Sequence, residues 1–377
     1  MKSNRLVKIA LMIWSIIASS GIDAQSLKSV FEPDFFVGAA LNTPLIVGKN
    51  REGLSLVKKH FNSIVAENCM KCEKIQPNEG EFDFRLADQF VGFGTANKMK
   101  IIGHTLVWHS QVARWMFVDK AGKQVSKEVL INRLRTHIHT VVGRYKGRIH
   151  GWDVVNEVLE ENGTLRKSPW LKIIGPEYIE LAFRFAHEAD PDAELYYNDY
   201  NLYHPAKRAG AIALIRNLKS RGCRIDAVGE QGHYGLDSNL FEELEKSIVA
   251  FSAEGVKVMI TELDVSVLPF PSEELTAEIS ASYEMRPEYN PYPNGISEDV
   301  EKRFTDYYLR LFDIFVRHRK TIERVTFWGV GDGQSWRNSW PVKNRTDYPL
   351  LFDRAYRAKP VVGELIRAKK DGARVNR

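Results

Sequence analysis

Two glutamates each close a run of apolar residues, in Val154-Val155-Asn156-Glu157 and Met259-Ile260-Thr261-Glu262. A Glu taken at random is a solvated surface group, because Glu is seldom fully buried. A Glu behind an apolar run sits instead at the end of a buried strand. Side chains alternate across a strand, so over 258–264 the even-numbered residues share one face. Val258 and Ile260 then fill an interior, and Glu262 and Asp264 stand at its mouth. The same alternation groups Glu157 with Asp153 and Val155. Two opposed carboxyls suit cleavage of a glycosidic bond: one protonates the leaving oxygen, and the other attacks the anomeric carbon or activates water there. Asp264 is placed to orient His233 on the neighbouring strand, with that imidazole bonding Glu262; the alternative is that these polar groups only satisfy each other. Asp153 is expected to brace the interior rather than to do chemistry.

The elements that must carry these groups follow a rhythm. Short β-type runs at 35–40, 63–69, 100–108, 149–157, 194–200, 226–233, 257–265 and 324–330 alternate with helical-period stretches such as 126–146, 205–219, 240–253 and 297–320. Pro176 and Pro205 fall where a first-turn proline is tolerated, and Gly222 and Gly255 fall where helices stop. Eight such units predict an α/β fold, a single (β/α)8 TIM barrel. A doubly wound open sheet is the alternative, but the G-x-G-x-x-G turn it favours is missing after the first strand. In a barrel the chemistry gathers at the C-terminal strand ends. Those ends supply Glu67, Asn68 and Lys71; His104 and Trp108; Asn156 and Glu157; Asn198, Asp199 and Tyr200; Gln231 and His233; Glu262 and Asp264; and Trp328. Carboxylates, amides, imidazoles and indoles on one rim suit a polar ligand with flat apolar faces, which is the chemistry of a sugar.

Composition removes other readings. The 377 residues are 44% hydrophobic, 27% charged and 11% aromatic, too apolar for a disordered chain. The net charge of +5 comes from 53 basic and 48 acidic residues interspersed along the sequence, which argues against a nucleic-acid partner. Residues 1–24 carry Lys2, Arg5 and Lys8, then an apolar stretch too short to span a membrane comfortably, then small residues up to Ala24. That order is expected of a signal peptide, leaving residues 25–377 as one exported domain, periplasmic or extracellular, monomeric and without a membrane contact. Cys69 and Cys72 are spaced C-x-x-C without the second pair a zinc ribbon needs, and are expected to be small, partly buried thiols at the end of a strand. His104 and His109 are five apart and would point to opposite faces of one strand, so a shared metal is not expected, and no glycine-rich turn follows the last two strands to cradle a phosphate.

Taken together, the motifs resemble glycoside hydrolase family 10, the retaining endo-β-1,4-xylanases. The segments that carry the resemblance are Ala66-Glu67-Asn68-Cys69-Met70-Lys71, Gly103-His104-Thr105-Leu106-Val107-Trp108-His109, Trp152-Asp153-Val154-Val155-Asn156-Glu157, Tyr197-Asn198-Asp199-Tyr200, Gln231-Gly232-His233, Ile260-Thr261-Glu262-Leu263-Asp264, and Trp328-Gly329-Val330 followed by Ser335-Trp336. They span about residues 35–365 in the family's order. The resemblance implies that Glu157 is the general acid/base and Glu262 the nucleophile, with carboxyls ~5–5.5 Å apart and no cofactor or metal. It implies that Lys71, His104, Trp108, Asn156, Gln231, His233 and Trp328 surround the reacting sugar, with Tyr200 in the same substrate-binding set. It also implies that Glu67, Asn68 and Trp336 contact the next sugar on the non-reducing side, with Asp264 standing behind His233. Hydrogen bonds from His233 and Asn156 would favour the charge on Glu262. Cys72 departs from the family, which commonly has Trp there, so the wall beside the non-reducing subsites is expected to differ. Residues 269–294 are expected to be a long loop shaping the leaving-group side. The implied ligands are xylan and xylo-oligosaccharides; the alternatives are a barrel glycosidase acting on cellulose or mannan, and a non-catalytic glycan-binding barrel.

Overall fold

The computed structural model describes residues 25–272 and 277–375; the expected signal peptide lies outside them. Helix starts follow local chemistry. The side chains of Ser126, Ser168 and Ser297 accept from backbone N–H groups three residues on, capping Lys127–Arg144, Pro169–Ile173 and Glu298–Arg317. Pro205 opens Pro205–Ser220, as its spacing predicts. Among the described residues, no helix is long and apolar enough to cross a membrane.

Among the described residues, nine parallel strands run β1 (Phe36–Leu41), β2 (Ser63–Ala66), β3 (Lys100–Val107), β4 (Gly151–Asn156), β5 (Glu194–Asp199), β6 (Ala227–Glu230), β7 (His233–Gly235), β8 (Lys257–Ser266) and β9 (Ile322–Phe327). The sheet order is β6-β5-β4-β3-β2-β1-β9-β8, and β6 pairs with β8 to close the ring. β7 adds a short ladder beyond β6 against the same β8. The result is the expected (β/α)8 barrel.

Two apolar layers hold it. Inside the ring, Ala40, Val65, Ile102, Tyr196, Ala227 and Met259 each come from a different strand, with Trp328 closing the layer beneath the rim. Between ring and helices lies the larger layer, to which Leu134, Ile138, Phe183, Ile248, Leu311 and Phe315 contribute from the helical side. The faces of the long helix Glu298–Arg317 explain its place: Phe304, Tyr308, Leu311 and Phe315 recur at helical spacing and are all buried.

Three strand ends differ from the sequence reading. β2 stops at Ala66, so Cys69 lies in the turn beyond it and Cys72 opens the short helix Cys72–Ile75; both thiols are free and fully buried. Position 231–232 divides the expected sixth strand, where Gly232 takes φ 84° and turns the chain before His233. β4 ends at Asn156, and its register against β3 and β5 shifts near Asp153 and Val155. That irregularity breaks the simple alternation that grouped Glu157 with Asp153. Glu157 itself takes φ 56°, a left-handed conformation rare for a non-glycine residue.

Candidate active site

The strand C-termini open onto a cleft of ≈ 230 Å³. Glu67, Asn68, Lys71, His104, Trp108, Asn156, Glu157, Gln231, His233, Glu262, Trp328 and Trp336 all line it. A larger hollow of ≈ 740 Å³ lies at the opposite end of the ring around Lys100, His150 and Glu194. Lys100 pairs there with Glu194 at 2.8 Å and with Glu323, so the charged groups are engaged with one another.

Glu262 is carried by β8 and gripped at both oxygens. Asn198 donates its Nδ2 to Oε1 at 2.8 Å, and His233 Nε2 stands 3.2 Å from Oε2. The other ring nitrogen of His233 is 3.0 Å from Asp264 Oδ1, so the orienting role expected of Asp264 is present in the geometry. β7 sets this up by pairing His233 directly with Asp264 on β8. Asp264 in turn accepts from Arg337 Nη2 at 2.9 Å and from Trp336 Nε1 at 2.7 Å. Burial works against ionising Glu262, but the His233 bond and the charges of His104, His233 and Lys71 outweigh it, holding the carboxyl below its ordinary range. Burial likewise opposes the His233 cation, and the Asp264 carboxylate outweighs it, raising the imidazole to about 9.

The Glu157 carboxyl takes its hydrogen bonds from neutral donors. Trp108 Nε1 donates to Oε2 at 2.8 Å and Gln231 Nε2 to Oε1 at 3.0 Å. Burial dominates here and raises the carboxyl above its ordinary range, against the opposing charge of His109. Two carboxyls buried to the same degree are thus driven apart in protonation, one towards the acid and one towards the carboxylate. Asn156 departs from expectation: it contacts its chain neighbour Glu157 at 3.3 Å, and Asn198 supports Glu262 instead. Register gives the reason, since Asn198 sits opposite Asn156 on β5, one strand nearer to β8.

The rest of the cleft offers paired donors and apolar faces. Lys71 Nζ donates to Asn68 Oδ1 at 3.1 Å and Gln111 Oε1 at 2.8 Å and lies over the Trp108 ring, 4.9 Å from its centroid. Burial pulls the Lys71 ammonium down against the attraction of Glu262, Glu67 and Glu157. His104 gives its Nδ1 to Asp153 Oδ2 at 2.9 Å, which leaves Nε2 as its other polar atom, and Asp153 is buried in the barrel interior as expected. Trp336 stacks on Trp340 with ring centroids 4.4 Å apart. Tyr200 is absent from the cleft lining: its ring lies under Lys207 Nζ at 3.7 Å and its hydroxyl accepts from Arg166 at 2.9 Å.

Sequence reasoning missed several neighbours. Gln111 lines the cleft from the loop after β3, two residues past the segment ending in His109, with nothing but that proximity to point to it. Asn198 was visible as a strand end without a role. His109 drew notice as a possible metal ligand and as the end of a matched segment, without a role beside Glu157. Arg166 and Glu278 meet across 112 residues of sequence, and no local pattern joins them. Ala277 and Ile279 line the cleft, so the loop after β8 reaches it as expected. Burial pushes the Cys72 thiol up to about 11 and Cys69 to about 12, which fits inert packing. Among the described residues, no group of three or more His, Cys, Asp or Glu side chains is placed to hold a metal ion.

The chain is similar to known proteins over nearly its whole length. The family model described as Glycosyl hydrolase family 10 matches residues 26–368. Endo-1,4-beta-xylanase A of Xylanibacter ruminicola is 52% identical over 351 residues, covering 93% of this chain and 95% of that protein. Beta-1,4-xylanase of Dictyoglomus thermophilum is 41% identical over 351 residues, covering 93% and 92%. The solved structure of a GH10 endoxylanase from a sugarcane soil metagenome aligns with a TM-score of 0.89 at 44% identity, covering 91% of this chain and 99% of that one. That of xylanase XynB from Paenibacillus barcinonensis, complexed with a conduramine derivative, aligns with a TM-score of 0.82 at 36% identity, covering 90% and 98%. A barrel whose rim carries two oppositely biased buried carboxyls, matched over nearly its whole length by this family, belongs to glycosyl hydrolase family 10.

Proposed function

We infer that the protein is an endo-1,4-β-xylanase that cleaves internal β-1,4 bonds of xylan and xylo-oligosaccharides. The observation that carries the mechanism is the opposite bias of Glu157 and Glu262 under equal burial. In this reading Glu157 gives its proton to the glycosidic oxygen as Glu262 attacks the anomeric carbon. The C–O bond to the leaving sugar breaks and an ester to Glu262 forms. With Glu262 neutral in the ester, Glu157 loses the neighbouring negative charge and keeps the one it has just acquired. It then takes a proton from water, whose oxygen displaces Glu262 and restores the original configuration. Lys71, Asn68 and Glu67 hold sugar hydroxyls on the non-reducing side, while Trp108, Trp328 and Trp336 cover C–H faces. Trp328 and Trp336 also crowd the space a C6 hydroxymethyl would need, which favours xylose over glucose units.

Initial rates on xylan and carboxymethyl cellulose test the substrate class; faster release of reducing sugar from cellulose refutes the xylan reading. Xylan binding without release of reducing sugar would instead mark a glycan-binding barrel. The charge, apolar run and small residues within 1–24 support export of the protein. N-terminal sequencing of the protein from periplasm and medium checks this, and an intact Met1 would refute it.

A further inference from the structure

The loop after β8 brings a third carboxyl to the site. Glu278 Oε2 accepts from Arg166 Nη1 at 2.5 Å and lies 3.4 Å from His109 Nε2. Both basic side chains also face the acid/base. His109 Nδ1 is 3.8 Å from Glu157 Oε2, and Arg166 Nε donates to the Glu157 carbonyl oxygen at 2.8 Å. Ala277 and Ile279, on either side of Glu278, line the cleft, so the contact that engages Arg166 also seats this stretch of loop against the catalytic rim.

We propose that Glu278 is a positioning residue for the acid/base: its carboxylate holds the His109 imidazole and the Arg166 guanidinium beside Glu157 and offsets the guanidinium's positive charge there. The proposal rests on the assignment of Glu157 as acid/base. The other charged or titratable groups acting on Glu157 are Asp199 from β5, Lys71 and Tyr200, and Glu262 on β8 lines the same cleft. Among the described residues, Glu278 engages the basic side chains His109 and Arg166. Both favour the ionised form of Glu157, whereas burial favours the protonated form that donation requires. Neutralising Glu278 removes a negative charge from beside these basic side chains, so they act on Glu157 without that offset and it loses its proton at lower pH.

The test is the pH dependence of kcat/KM for xylohexaose in the natural protein, Glu278→Gln and Glu278→Ala, with thermal unfolding recorded for each. The alkaline limb is expected to move down by at least about 0.5 pH unit in Glu278→Gln. The acid limb, governed by Glu262 behind His233 and Asn198, is expected to stay in place. Glu278→Gln keeps the size and a hydrogen-bonding oxygen, so a purely structural role would be rescued by it; superimposable profiles overturn the proposal, even where Glu278→Ala fails to fold. Glu157→Gln serves as the reference. If it cleaves xylohexaose normally, the acid/base assignment fails; if it is inactive and Glu278→Gln is unshifted, only the role of Glu278 fails.

Discussion

The indole Nε1 of Trp336 donates to Asp264 Oδ2 at 2.7 Å, while the other oxygen of the same carboxylate holds His233 at 3.0 Å. One buried group therefore fixes both a wall of the cleft and the imidazole that supports Glu262. Asp264→Asn removes the charge that sustains the His233 cation, so Glu262 keeps its proton to higher pH. The acid limb of kcat/KM should move up by about one pH unit. Arg337 also loses its direct carboxylate partner in the interior, at a stability loss of about 3 kcal/mol measurable by urea unfolding. An unmoved acid limb in the folded variant would refute the orienting role.

Glu262→Ala removes the attacking oxygen and leaves the sugar-binding groups in place. Turnover of xylan should fall by at least about 10⁴-fold, with xylan binding retained. Reducing-sugar release and binding isotherms give the two readings. Near-normal hydrolysis would sink the nucleophile assignment.

Glu157→Ala removes proton donation, which matters in proportion to how poor the leaving group is. Activity on xylan should drop by about 10²–10⁴-fold. Aryl xylosides with good leaving groups should be affected far less in their first step, so a burst of released phenol precedes slow turnover. Equal losses on both substrates would argue against an acid role.

His137 gives a pH-dependent stability change remote from catalysis. It is buried in the helix Lys127–Arg144, with Nδ1 2.7 Å from Gln76 Oε1, and burial lowers its pKa from 6.5 to about 4. Between those values the unfolded chain binds more protons than the folded one, so this contribution is complete above pH 6.5 and is lost as pH falls towards 4. The stability gap between the natural protein and His137→Asn should therefore narrow on acidification, by on the order of 3 kcal/mol over the full window. Urea midpoints measured at pH 7 and pH 4.5 check the sign; a gap that widens would contradict the burial argument.

The barrel was legible because each strand is an apolar run buried on both sides, and because proline, serine and glycine mark the helix ends. The cleft was legible because polar residues follow those runs. What escaped detection depends on relations that a linear pattern does not carry. The register between β4 and β5 assigns the support of Glu262 to Asn198 instead of Asn156. Tyr200 was read as a strand end facing the sugar, but β5 stops at Asp199 and the ring turns to Lys207. Arg166 and Glu278 come from two different loops, and only the closed ring brings them together beside Glu157.

Glu157 combines a fully buried carboxyl with a backbone φ of 56°, and both oppose folding. Such a backbone costs a non-glycine residue on the order of 1 kcal/mol, and Asn tolerates it better than Glu. Replacement by Asn should raise the melting temperature while lowering hydrolysis of xylan as severely as Glu157→Ala does. Directed evolution of this protein for heat resistance alone would thus enrich inactive clones at its most important position, and selection for thermal tolerance has to be paired at every round with a screen for sugar release.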